Sequence, residues 1–255
     1  MGHANNAEQI EVGSGPLDPD DVVRVARHGA GVRLADNALA TIAASREIVE
    51  GLAKDDRPHY GVSTGFGALA TKHIPAELRS RLQRSLIRSH AAGTGPEVER
   101  EVVRALMLLR VSTLATGRTG VRVETALAYA AMLDAGLTPI VHEYGSLGCS
   151  GDLAPLSHVA LALMGEGEVR GADGVPRPAA QALRENGIEP VELTEKEGLA
   201  LVNGTDGMLG MLVLALADLR LLLATADVAA AMSVEALLGT DAVFAADLQG
   251  CTSNL

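Results

Sequence analysis

Between Gly145 and His158 the chain reads Gly-Ser-Leu-Gly-Cys-Ser-Gly-Asp-Leu-Ala-Pro-Leu-Ser-His. Three glycines within seven residues open backbone paths closed to other residue types. Asp152 caps or begins a helix through Val159, Leu161 and Leu163. That sets N–H groups and the positive end of a helix dipole beside the loop, where an anion formed at Ser150 would be stabilised. A phosphate loop would need Gly-Lys-Ser/Thr here, and a hydrolase elbow would need G-x-S-x-G rather than Gly-Cys-Ser-Gly. Cys149 with a distant histidine would make a thiol site, and a tight turn before a helix would make no site at all. Elsewhere, Tyr60 lies in a glycine-rich loop, Tyr60–Gly67, and His90 closes an apolar stripe as a core histidine or a ligand-reading one. Asn203-Gly204 marks a turn at a helix break. His142-Glu143 begins like a zinc-protease helix, but Ser146 stands where the second histidine belongs, and no Cys-x-x-Cys exists. No metal is expected.

In order along the chain, these segments resemble the aromatic amino acid ammonia-lyase family, most closely its histidine-acting members. In that family an Ala-Ser-Gly tripeptide within G-S-x-G-A-S-G-D-L-A-P-L cyclises and loses two waters to become a methylidene-imidazolone. The resemblance implies this prosthetic group at Cys149-Ser150-Gly151, with no metal or external cofactor. The Gly151 nitrogen would attack the Cys149 carbonyl, an approach a Cβ would obstruct, and Ser150 would lose its hydroxyl. Only the carbonyl and Cα of Cys149 enter the ring, so cyclisation should survive Cys in place of Ala. Tyr60–Gly67 is similar to Y-G-V-N-T-G-F-G, with Ser63 for Asn, which implies Tyr60 as the catalytic base. A free phenol titrates near pH 10 (about 10), so that role asks for a site favouring phenolate. Leu82–Gly95 resembles the substrate-selecting helix end and implies that His90 reads the substrate side chain, against phenylalanine. Leu199–Thr205 resembles L-A-L-x-N-G-T, which implies that Asn203 bonds the electrophile or the substrate amine.

The implied activity is elimination of ammonia from L-histidine to give trans-urocanate. Tyrosine ammonia-lyase or aminomutase is the alternative within the enzymes, and a non-catalytic truncated partner of full-length subunits the alternative outside them. The resemblance covers nearly all of this chain but only the family's N-terminal half, so the chain alone is expected to be weak or inactive. A homotetramer is implied as well.

The elements that must hold these loops are mostly helical. Asp18-Pro19 with Gly29 delimits a helix; Asp36 caps a second through Ile42, Val49 and Leu52. Pro75 opens a third, with Leu78, Leu82, Leu86 and His90 at a spacing of four, and Pro96 opens a fourth. Thr194-Glu195-Lys196-Glu197 is a capping box, and Thr205 to about Leu248 is helix-compatible throughout. Strand signals are confined to Pro139–Val141 and Glu168–Arg170, which pair locally. The expected fold is mainly α: a truncated long-helix bundle, ammonia-lyase/fumarase-like, with the electrophile loop at a helix N-terminus. Residues 1–200 form the electrophile-bearing domain, 201–249 the first long helices of the bundle, and 250–255 an atypical tail.

Composition closes off other classes. A net charge of −11 and 2% aromatic residues argue against nucleic acid. Two cysteines cannot make a disulfide framework, and the N-terminus lacks a basic and an apolar region, so a cytoplasmic protein is expected. The most apolar stretch, Gly207–Ala217, is interrupted by Asp218 and Arg220 and is expected to fall short of the roughly 18 residues of a membrane span.

Overall fold

The computed structural model describes residues 9–145 and 150–249. Its first helix, α1 (Pro19–His28), follows the local chemistry: the Asp18 carboxylate accepts the Asp20 N–H, Pro19 fills the first turn, and Gly29 closes it in the left-handed region. Before and after it run β1 (Gln9–Val12) and β2 (Gly31–Leu34), which pair in parallel with Ile10 and Val12 turned inward. Next, α2 (Asp36–Lys54) is entered from Ala35, so Asp36 is its first residue rather than its cap.

Helix α3 (Ala76–His90) starts after Pro75, but it buries Arg79, Gln83, Leu86 and Ile87 and leaves Leu78 exposed. The buried stripe is thus rotated from the leucine spacing, because polar side chains with partners occupy it. Pro96 does not open a helix. It lies in β3 (Thr94–Glu97), and α4 (Arg100–Ala115) begins four residues later.

α4 is the centre of the core, with Val103, Leu106, Met107, Leu108, Val111 and Leu114 all buried. It packs on α1, α2 and α5 (Val123–Asp134). β4 (Thr138–Pro139) precedes β5 (His142–Tyr144), which pairs with β3. After α6 (Leu153–Leu163), β6 (Glu168–Arg170) pairs with β4 as the sequence suggests, and β7 (Pro176–Pro178) extends that sheet. α7 (Ala179–Glu185) follows, then α8 (Glu197–Val202). α6 packs on both α3 and α8, which brings Ser150–Gly151, His90 and Asn203 to neighbouring elements.

The capping box before α8 is half formed. The Glu197 carboxylate takes the Thr194 N–H at 2.8 Å, but the Thr194 hydroxyl donates to that same carboxylate instead of accepting a backbone N–H. Glu197 is fully buried and also bonds Arg122 and Thr125.

α9 (Asp206–Ala236) is the longest helix. The α-helix stops near Leu238, which has φ +52°; a short 3-10 turn at Ala242–Phe244 precedes α10 (Ala246–Gln249). The described residues form two compact units that part between Val213 and Leu214, within α9. In the second unit Leu221, Leu222, Leu223, Val228 and Met232 are all exposed. Contrary to the sequence expectation, the stretch Glu197–Ala236 is long and apolar enough to cross a membrane by length and composition.

Candidate active site

Ser146–Cys149 lie outside the described residues, so the structure gives the expected tripeptide as Ser150 and Gly151. The Ser150 hydroxyl is buried and has no hydrogen-bond partner among the described residues. An orphaned hydroxyl is costly in a native interior. Gly151 has φ +102°, and a Cβ there would come within 2.5 Å of the Met208 methyl. Both observations fit a ring built from these residues: the hydroxyl is bonded to none of the described residues, and the backbone at 151 is held in a conformation that favours glycine.

The next residue fastens this loop to the start of α9. The Asp152 N–H donates to the Gly204 carbonyl at 3.2 Å. Its carboxylate does not cap its own helix; it accepts the N–H groups of Gly207 at 2.8 Å and Met208 at 3.0 Å. Burial pushes the Asp152 carboxyl above its usual range, against those two N–H groups, and the neighbouring Asp206 carboxylate pushes the same way.

The Asn203-Gly204-Thr205 turn is held from beneath by Arg110. This buried guanidinium donates to the carbonyls of Ala200 at 3.1 Å and Asn203 at 3.4 Å, and it pairs with Asp206. Thr113 donates to the other Asp206 oxygen at 3.1 Å. A side chain at position 204 would overlap the Arg110–Asp206 pair, so glycine here is a matter of space as well as of turn geometry. Asn203 ends α8 exposed, and its amide has no partner among the described residues.

Tyr60 is about half exposed (51%). Its ring meets Phe66 edge-on at 6.1 Å, and its hydroxyl accepts the Gly67 N–H at 3.4 Å. Ser63, at the position where the resemblance has Asn, is fully buried and accepts the His59 N–H at 2.9 Å, which tightens the loop. The Gly61 carbonyl accepts the Lys196 N–H at 3.1 Å and the Gln83 amide at 3.4 Å.

His90 is the last residue of α3 and is half-buried. Its Nδ1 lies 2.9 Å from both the Leu86 carbonyl and the Ser89 hydroxyl, which fixes the ring at the end of the helix. Three residues on, the Gly93 N–H donates to His158 Nε2 at 3.0 Å. Burial, then the nearby His142 ring, holds the His158 imidazole below its ordinary pKa, and so neutral.

The structure therefore brings Ser150–Gly151 directly against the Asn203–Thr205 turn, while the Tyr60 loop is tied to the start of α8 through the Gly61 carbonyl and the segment after His90 to α6 through the His158 ring. The side chains of Tyr60, His90 and Asn203 share no hydrogen bond among the described residues. Nor do the described residues hold a group of three or more metal-ligating side chains. Sequence reasoning missed Gln83, Arg110, His158 and the carboxylate role of Asp152. The available signal was a polar residue set in an otherwise apolar stripe, as Gln83 is among leucines and Arg110 between Leu109 and Val111.

A model of the aromatic amino acid lyase family matches residues 17–253. The chain is 65% identical over 239 residues to histidine ammonia-lyase of Streptomyces griseus, covering 94% of this chain and 46% of that protein. Against the Streptomyces coelicolor enzyme of the same name, identity is 63%, with 94% and 47% covered. Among solved structures, histidine ammonia-lyase from Trypanosoma cruzi superimposes with a TM-score of 0.88 at 36% identity, over 96% of this chain and 47% of that one. Tyrosine aminomutase from Streptomyces globisporus gives 0.74 at 43%, over 81% and 38%. The chain spans about half the length of the relatives it matches.

Proposed function

The chain belongs to the aromatic amino acid lyase family, and from that premise we propose that it supplies the electrophile-bearing half of a lyase that eliminates ammonia from L-histidine to give trans-urocanate. One observation carries the reading: the buried Ser150 hydroxyl, without a hydrogen-bond partner among the described residues, beside a Gly151 held at φ +102°. We read Cys149, Ser150 and Gly151 as the source of a methylidene-imidazolone. When formed, that group supplies an electron-poor centre able to take up charge as the carbon–nitrogen bond breaks.

The chain's own residues would do the rest. Tyr60 removes the substrate's β-proton, which is weakly acidic and needs a positioned base. Asn203, whose side-chain amide has no partner among the described residues, orients the substrate amine beside Ser150–Gly151. His90 contacts the substrate imidazole. The first turn of α6, which begins two residues beyond Gly151, favours negative charge developing there.

A tyrosine hydroxyl would bond the same His90 ring, so this residue alone does not choose between histidine and tyrosine. The 65% and 63% identity to two Streptomyces histidine enzymes supports histidine. The half-exposed Tyr60 and the exposed Asn203 leave the site without its remaining walls, which fits a chain half as long as its relatives. The exposed leucines of the second unit favour self-association over lipid, because Asp218, Arg220, Asp227 and Glu235 recur along that helix. A cytoplasmic, homotetrameric enzyme is the assembly proposed.

To test this, histidine and tyrosine are offered to the purified chain, alone and supplemented with the segment that completes the relatives. We expect ammonia from histidine in the supplemented sample and little or none from the chain alone. Preferential release from tyrosine would move the substrate assignment. No ammonia from either, in the supplemented sample, would overturn the lyase reading.

A further inference from the structure

Gln83 is fully buried on α3, far in sequence from both groups it touches. Its Nε2 donates to the Gly61 carbonyl at 3.4 Å, and its Oε1 accepts the Gly198 N–H at 2.9 Å. Gly61 directly follows Tyr60, and Gly198 lies in the first turn of the helix that ends at Asn203. The same Gly61 carbonyl accepts the Lys196 N–H, and Lys196 is held at φ +72°. A residue with a side chain adopts that conformation at some cost, and such strain collects where a backbone group must be aimed. Gln83 thus ties two loops with one uncharged amide that donates at one end and accepts at the other. An apolar residue of equal size would fill the space but leave the Gly198 N–H without a partner.

We propose that Gln83 is a positioning residue for the elimination: it locks the Tyr60 loop to α8 and so fixes the register between Tyr60 and Asn203. This rests on the reading of those two residues as reaction groups.

Hydrogen exchange on the purified chain tests the lock without requiring turnover. Two peptides report it, one covering 59–67, where the Val62 and Ser63 N–H groups bond the His59 carbonyl, and one covering 196–202. With Gln83→Met, exchange in both should rise about tenfold, the effect of losing one net hydrogen bond in each, while the core helices keep their protection. Gln83→Glu gives the sharper readout. An ionised carboxylate accepts from Gly198 but cannot donate to Gly61, whereas a protonated carboxyl does both. Protection of 59–67 should therefore return as pH falls, after correction for intrinsic exchange, while 196–202 stays protected. Filling volume alone gives no such rescue. Unchanged exchange in 59–67 for both variants, or no pH-linked recovery in Gln83→Glu, would overturn the proposal. Intact mass of the same unsubstituted preparation reports separately on the lyase reading, since it follows the two-water loss and not the lock.

Discussion

The Asp152 carboxylate stands at the start of one helix and caps another, accepting the Gly207 N–H at 2.8 Å. Through this bond the end of the Ser150–Gly151 loop and the turn bearing Asn203 are fixed to each other. The consequence is testable by substitution. Asp152→Ala should cost about 1–2 kcal/mol of stability, the worth of an N-cap, and loosen residues 203–208 in hydrogen exchange. Asp152→Asn keeps one accepting oxygen and should cost much less. Equal losses in thermal denaturation would contradict the capping role.

Gly204 offers a steric test. Gly204→Ala would force apart the buried Arg110–Asp206 pair and should destabilise the chain by roughly 3–5 kcal/mol. Gly51→Ala is the control, because Gly51 lies inside α2 with open space around it. That change should be neutral or stabilising by about 0.5–1 kcal/mol. Urea denaturation of the two variants decides the matter.

Glu197 sets an acid limit. Burial works to raise its carboxyl, but hydrogen bonds from Arg122 and Thr125 and the N–H groups of Arg122 and Thr194 outweigh it and hold the carboxyl below its ordinary value. A depressed carboxyl contributes stability above its unfolded pKa and loses it as pH falls through the folded one. Stability should therefore drop below about pH 4.3. Glu197→Gln should remove that part of the acid dependence and, at neutral pH, cost roughly 1.5–3 kcal/mol by weakening the charge-assisted bonds from Arg122. A pH–denaturation series on both chains checks the sign.

His158 acts at milder pH. Its Nε2 accepts the Gly93 N–H, so a protonated ring must give up that bond. Its folded pKa lies below the unfolded value, so the unfolded chain takes up the proton first. Stability should then fall as pH drops below about 6.5. The segment after His90 should loosen in step. His158→Gln keeps an acceptor and should flatten this slope between pH 5 and 7 (about 5 to about 7). An unchanged slope would remove His158 from the account.

Local rules carried much of the fold. Asp18, Pro19 and Gly29 bound α1 as their chemistry requires, and Thr138–Pro139 does pair with Glu168–Arg170. Ile10 and Val12 alternate inward in β1, yet four residues are too few to announce a parallel strand whose partner begins at Gly31. Pro96 suits a helix start or an edge strand equally, and its pairing with β5 decided for the strand. The site divides in the same way. Tyr60, His90, Ser150, Gly151 and Asn203 sit in loops and helix ends with distinctive residue runs. Gln83, Arg110 and His158 find their partners 22 to 115 positions away, where no local spacing reveals them.

The most direct test of the account is the intact mass of freshly purified chain. Cyclisation at Cys149-Ser150-Gly151 with loss of two waters predicts a mass about 36 Da below that of the unmodified sequence, and Ser150→Ala should abolish the deficit. A chain at its full unmodified mass would contradict the claim that this segment builds its own electrophile.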